Sequence, residues 1–136
     1  RMIERLRDSG NANCFLIDRD FEAGDEPVKL CIRDGKIVDF HKKIASTYDF
    51  CGESVGFFRF SPGIARRLAS RTQAYVDEGR GEEWYEEAIR DLVIECPSGT
   101  FGFEDVTDLP WIEIDFPEDV ERAREEILPQ LKDPEA

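Results

Sequence analysis

The sequence holds a single histidine, His41, and four cysteines, Cys14, Cys31, Cys51 and Cys96, with no Cys-x-x-Cys pair among them. That spacing argues against a structural zinc site. Three of the cysteines sit in or beside apolar runs, where a free cysteine behaves as a small core residue. Reduced thiols and a cytoplasmic setting are therefore expected. No apolar run approaches the roughly 18 residues a membrane span needs, and no signal peptide is recognisable. Basic residues are scarce too: 18 Lys and Arg stand against 31 Asp and Glu, for a net charge of −13. Nucleic acid and anionic lipid both demand a cationic footprint, so neither is an expected partner. A Ser-His-Asp grouping, a GxxxxGK[ST] loop and an HExxH helix are all missing.

What remains is ample for a core. Of 136 residues, 40% are hydrophobic and 11% aromatic, with ten Phe among them, which predicts one ordered α/β domain rather than disorder. Met2, Ile3 and Leu6 read as the last turns of a helix closed by Ser9-Gly10-Asn11. Cys14 to Ile17 is a continuous apolar run, the pattern of a strand covered on both faces. Val28–Arg33 and Lys36–Phe40 flank Asp34-Gly35, a type I′ hairpin signal that sets Ile32 opposite Ile37 and Cys31 opposite Val38. Residues 48–60 form a further strand region, in which Gly52 and Gly56 mark a bulge or a close approach. Ser61-Pro62 opens a helix that Gly79 ends. A second helix runs from about Glu82 to Pro97. Phe101–Val106 and Trp111–Ile114 read as short strands. Pro117 opens a last helix with Val120, Ala123, Ile127 and Leu131 inward, ending near Pro129 or Lys132.

Four places carry chemistry. In Trp111-Ile112-Glu113-Ile114-Asp115, Asp115 stands at the end of a predicted strand, where open α/β sheets bind ligands and a carboxylate suits magnesium. Asp115 with Glu118 equally fits an acidic helix cap. Glu53, between two glycines in an apolar strand, needs a partner or solvent. Lys29, Lys42 and Lys43 are compact point charges suited to phosphate, and as strand-end lysines they also suit plain solvation. Trp84 and Tyr85 read as core anchors, with Glu86 and Glu87 at the positive end of their helix; an aromatic pair beside a carboxylate also suits a quaternary ammonium.

Taken in order, these segments resemble the C-terminal part of a nucleotidyltransferase of the sugar-phosphate and phosphocholine cytidylyltransferase type. The residues that carry the likeness begin with Leu16-Ile17-Asp18, Asp25-Glu26-Pro27-Val28-Lys29, Asp34-Gly35-Lys36-Ile37 and Phe40-His41-Lys42-Lys43. They continue with Gly52-Glu53-Ser54-Val55-Gly56-Phe57, Phe60-Ser61-Pro62, Tyr85-Glu86, and Trp111 to Asp115 leading into Asp119 to Ala123. The resemblance implies a partial Rossmann-like sheet with a β-hairpin and flanking helices. It implies Mg²⁺ held in part by Asp115, and Lys42 and Lys29 near the phosphates. Glu53, Glu86 and Tyr85 would face the acceptor. The implied reaction joins a nucleoside triphosphate, CTP by expectation, to a small phosphorylated alcohol or phosphonate and releases pyrophosphate. It needs positioning and charge neutralisation rather than a nucleophilic side chain. The family's Gly-rich nucleotide loop and first metal aspartate have no counterpart in these residues. The expectation is therefore part of a longer enzyme, inactive alone, with an open sheet edge prone to self-association. A non-catalytic α/β binding or assembly module is the alternative.

Overall fold

The run Cys14-Phe15-Leu16-Ile17 forms β1 (Cys14–Asp18), all five of whose residues are buried in the computed structural model of the chain. The structure describes residues 1–131 except Ala23 and Asp25. Asp25 of the Asp-Glu-Pro-Val-Lys segment and Lys132, one expected helix end, lie outside the described residues. The chain divides into two compact units, one of Arg1–Val106 and one that begins at Thr107.

In the first unit, α1 (Met2–Asp8) precedes β1, and β2 (Lys29–Arg33), β3 (Lys36–His41) and β4 (Phe50–Arg59) follow it. Next come α2 (Pro62–Asp77), α3 (Tyr85–Glu95) and β5 (Gly102–Asp105). The strands form one mixed, open sheet in the order β3-β2-β4-β1-β5. Only β1 and β5 run parallel; the other neighbours are antiparallel. This is an α/β fold. Its core joins Phe15, Ile17, Leu30, Ile32 and Phe40 of the sheet to Ile64 of α2 and to Ile89 and Leu92 of α3. Phe15 lies at the centre, with the rings of Phe40, Phe58, Phe60 and Phe101 all within 6 Å.

The hairpin turn is type I′ in character, since Asp34 and Gly35 both take positive φ, 51° and 71°. Ile32 pairs with Ile37 as expected, but a bulge at Val38 sets Cys31 opposite Asp39. The slip has a packing reason: it brings Phe40 opposite Leu30, and both are fully buried. Gly52 answers a close approach, because a Cβ there would lie 2.8 Å from the Ile17 side chain. Gly56, at φ 76°, sits where β4 bulges against β1. The second helix begins three residues later than expected, at Tyr85, because Arg80 to Glu83 form a separate turn.

One expectation is overturned in the cysteines. Cys31 and Cys51 stand directly opposite each other on β2 and β4 and form a disulfide, with Cα atoms 4.3 Å apart. Only Cys14 and Cys96 are free thiols, and both are buried. Spacing along the chain does not reveal this pair, since strand register creates it.

Two polar devices fasten helices to the sheet. Arg59, at the end of β4, donates to the carbonyls of Leu6, Arg7, Ser9 and Asn11, and so caps the C-terminal end of α1. Arg90 of α3 donates to Asp39 Oδ1 at 2.9 Å, and Asp39 is almost wholly buried. The carboxylate beside it pushes the Arg90 pKa above its usual value.

The second unit holds α4 (Pro117–Arg122), a π-helical turn (Ala123–Ile127) and α5 (Leu128–Leu131). The π turn follows from Pro129, which has no N–H and crowds the carbonyl four residues back. The Leu128 amide accordingly bonds the Ala123 carbonyl, five residues back. Trp111–Ile114, expected as a strand, has no regular structure. A strand needs a ladder partner, and no strand is assigned among the described residues of this unit. Trp111 and Ile112 instead line an apolar groove with Val120, Ala123 and Ile127. No helix of the described residues is long and apolar enough to cross a membrane.

Two outcomes follow. Unfolded without reductant, the chain should expose two reactive thiols, and four after reduction. In the native state both free thiols should react slowly, since both are buried and burial also pushes the Cys14 thiol pKa up. Four thiols without reduction would refute the pairing. Arg90→Met should lower the unfolding free energy in urea by about 3 kcal/mol, by stranding Asp39. The double change Asp39→Leu with Arg90→Met should recover most of that loss.

Candidate functional site

A pocket of about 210 Å³ opens where the end of β3 meets the start of α3, lined by Val28, His41, Lys42, Lys43, Trp84, Glu86 and Glu87. Its two walls are chemically unlike. From the sheet side come the histidine and two lysines that end the hairpin. From the helix side come Trp84, at the N-cap, and the two glutamates of the first turn, placed where the helix dipole favours negative charge.

His41 joins the walls. Its Nε2 lies 2.7 Å from Glu87 Oε1. Its Nδ1 lies 2.7 Å from the Lys43 carbonyl oxygen and 3.1 Å from the Lys43 amide nitrogen. A neutral ring with its proton on Nε2 donates to Glu87 and accepts from the Lys43 N–H. A charged ring donates to Glu87 and to the Lys43 carbonyl. Either form is held by the same neighbours, so His41 positions the pocket wall and has no nitrogen free for a ligand.

Lys42 extends its ammonium over the Trp84 ring, 4.8 Å from the centroid, and 3.3 Å from Glu26 Oε2. Glu26 is almost fully exposed, so this ion pair is weak. Glu86 is half-buried, and its Oε2 is shut off from solvent with no hydrogen-bond partner among the described residues. A buried carboxylate oxygen without a donor is costly, and this one belongs to a residue of the pocket wall.

The other expected site residues are placed differently. The Lys29 ammonium donates to the carbonyls of Gly24, Pro27 and Lys42, at 2.7, 3.2 and 2.7 Å. All three of its protons are thus engaged in tying the preceding loop and the end of the hairpin together. Glu53 lies opposite Lys29 on one side and Asp18 on the other. With Lys29 opposite His41, the register makes one row, Asp18, Glu53, Lys29 and His41, across four strands. Tyr85 is exposed and sets its ring against Phe58 at 6.4 Å, outside the pocket lining. Asp115 belongs to the second unit and is exposed. Asp119, rather than Glu118, does the capping there: its Oδ2 accepts from the amides of Asp115 and Phe116. The Asp115 carboxylate is left without a partner among the described residues. In that set no three His, Cys, Asp or Glu side chains come together as a metal site.

A larger open groove, about 830 Å³, follows α2 past Arg66, Arg67, Arg71 and Arg80. Three of those arginines are already paired with Asp91, Glu95, Glu78 or Glu83, which leaves the smaller pocket as the better candidate. No family model matches the chain, and no curated protein matches it.

The His41–Glu87 contact can be weighed by a double-mutant cycle. His41→Ala and Glu87→Ala should show a coupling of about 1 kcal/mol in urea unfolding. Strict additivity would mean that the contact carries no energy.

Proposed function

We propose that this chain is part of a Mg²⁺-dependent nucleotidyltransferase of the cytidylyltransferase type, an enzyme built on a partial Rossmann-like sheet. Its reaction would carry a nucleotidyl group from a nucleoside triphosphate, CTP by expectation, to a small phosphorylated alcohol or phosphonate. An oxygen of the acceptor's phosphate attacks the α-phosphorus, and pyrophosphate leaves with the electrons of the broken P–O bond.

One observation supports the reading most. Lys42 and Glu86, which the resemblance assigns to the phosphates and to the acceptor, line the same small pocket. A cation on one wall and a carboxylate on the other suit a ligand with phosphate at one end and a donor at the other. Trp84, itself largely exposed, lines the site beside them. Asp115 is the residue of this chain that would hold magnesium. Magnesium uses one or two carboxylates and completes its shell with phosphate oxygens and water, so a three-residue cluster is not required. When bound, the ion neutralises phosphate charge. Asp115 suits that part because Asp119 has taken over the capping that competed for it. Self-association through an open sheet edge belongs to the same reading.

The alternative, a non-catalytic α/β binding module that keeps the pocket, is favoured by Lys29. With all three ammonium protons engaged by backbone carbonyls, it serves the fold and offers no phosphate contact in this arrangement.

Two measurements separate the readings. Titrating the chain with small phosphorylated alcohols should shift the Trp84 indole resonance, and Lys42→Ala should weaken that binding about tenfold. If no such ligand binds, the pocket assignment fails. In the enzyme that contains this chain, Asp115→Asn should largely abolish Mg²⁺-dependent pyrophosphate release from CTP while circular dichroism stays unchanged. Retained turnover would favour the binding module.

A further inference from the structure

The pocket also says which kind of acceptor it takes, an inference that rests on the acceptor reading above. We propose that it selects a short acceptor whose non-phosphate end is a hydrogen-bond-donating ammonium, a primary amine, over a quaternary trimethylammonium and over a neutral polyol.

Three features carry this. The first is Glu86. Its Oε2 is buried and has no donor among the described residues. Glu86 also lines the pocket, so its carboxylate stands where a ligand can donate to it. A primary ammonium brings both a positive charge and N–H groups, and can donate a charge-assisted bond to this carboxylate. A trimethylammonium brings the charge alone and leaves the lone pairs unmet. A hydroxyl donates but leaves the half-buried negative charge uncompensated.

The second feature is the lone aromatic wall. Quaternary ammonium ions are held by cages of several ring faces. Trp84 is the one Phe, Tyr or Trp among the described lining residues, and the Lys42 ammonium already lies over its ring at 4.8 Å. Tyr85, the other aromatic residue nearby, sets its ring against Phe58 and lies outside the lining. A trimethylammonium would have to displace Lys42 from Trp84, and Lys42 is the cation assigned to the phosphate.

The third is size. About 210 Å³ lies below the usual range for drug-sized ligands, which begins near 300 Å³. A two- or three-carbon chain fits that space better than a hexitol or an inositol.

The test compares 2-aminoethyl phosphate, phosphocholine and an inositol phosphate by calorimetric titration of the chain. The amine should bind about tenfold more tightly than phosphocholine. Glu86→Gln, of nearly the same shape, should erase that preference by weakening the amine alone. Lys42→Ala should weaken the amine and phosphocholine alike. Phosphocholine or inositol phosphate binding as well as the amine would overturn this inference and leave the acceptor pocket standing. A preference that survives Glu86→Gln would also overturn it. If none of the three binds, both readings fall.

Discussion

The candidate pocket depends on how α3 is held against the edge strand β3. Apolar packing through Ile89 and Leu92 brings the helix to the sheet but says little about its rotation. Two directional contacts fix that. Asp39 and His41 are two residues apart on the strand, and Glu87 and Arg90 are three apart on the helix, so each pair shares a side of its own element. Asp39 meets Arg90 and His41 meets Glu87. With His41 protonated the signs cross, minus and plus on the strand against plus and minus on the helix. A helix turned by one residue would leave Asp39 buried without its cation. This clamp sets Trp84 beside Lys42 and Glu86 in the pocket wall.

Much of the fold was legible because its signals are local. The doubly buried run at β1, the Asp34-Gly35 turn, the Ser61-Pro62 helix start and the Pro97 stop each depend on a few neighbouring residues. What escaped depends on pairing between distant segments. Cys31 and Cys51 look like two unrelated core thiols until β2 and β4 are set in register. The Val38 bulge is chosen by Phe40 and Leu30 across the hairpin. Trp111 to Ile114 alternates as a strand does, yet alternation records only which side chains seek cover. Here Trp111 and Ile112 share a groove with helix residues, and Ile114 stays exposed. Pro129 was visible, and the rule it obeys would have indicated an irregular last helix.

The site divides along the same line. Lys42 and Glu86 were named from the resemblance, and the fold sets both in one pocket. His41 entered as the lone histidine that argues against zinc and as part of the Phe40–Lys43 stretch, and Glu87 only for its place in the helix dipole. Their contact is a tertiary fact with no signature in either segment. Lys29 shows the converse: a lysine that residue type suits to phosphate becomes a tie between a loop and a hairpin end once its neighbours are known.

Arg59 bears on how the molecule assembles. α1 has seven residues, too few for a helix to persist alone in water, and its last carbonyls are satisfied by a guanidinium from the far end of β4. The helix is thus a product of the sheet and cannot template it. The hairpin of β2 and β3 closes a short loop at little entropic cost, and β4 can add to it. β1 and α1, though earlier in the chain, join across a longer closure. Loop-closure entropy alone thus favours the hairpin over the docking of β1 and α1.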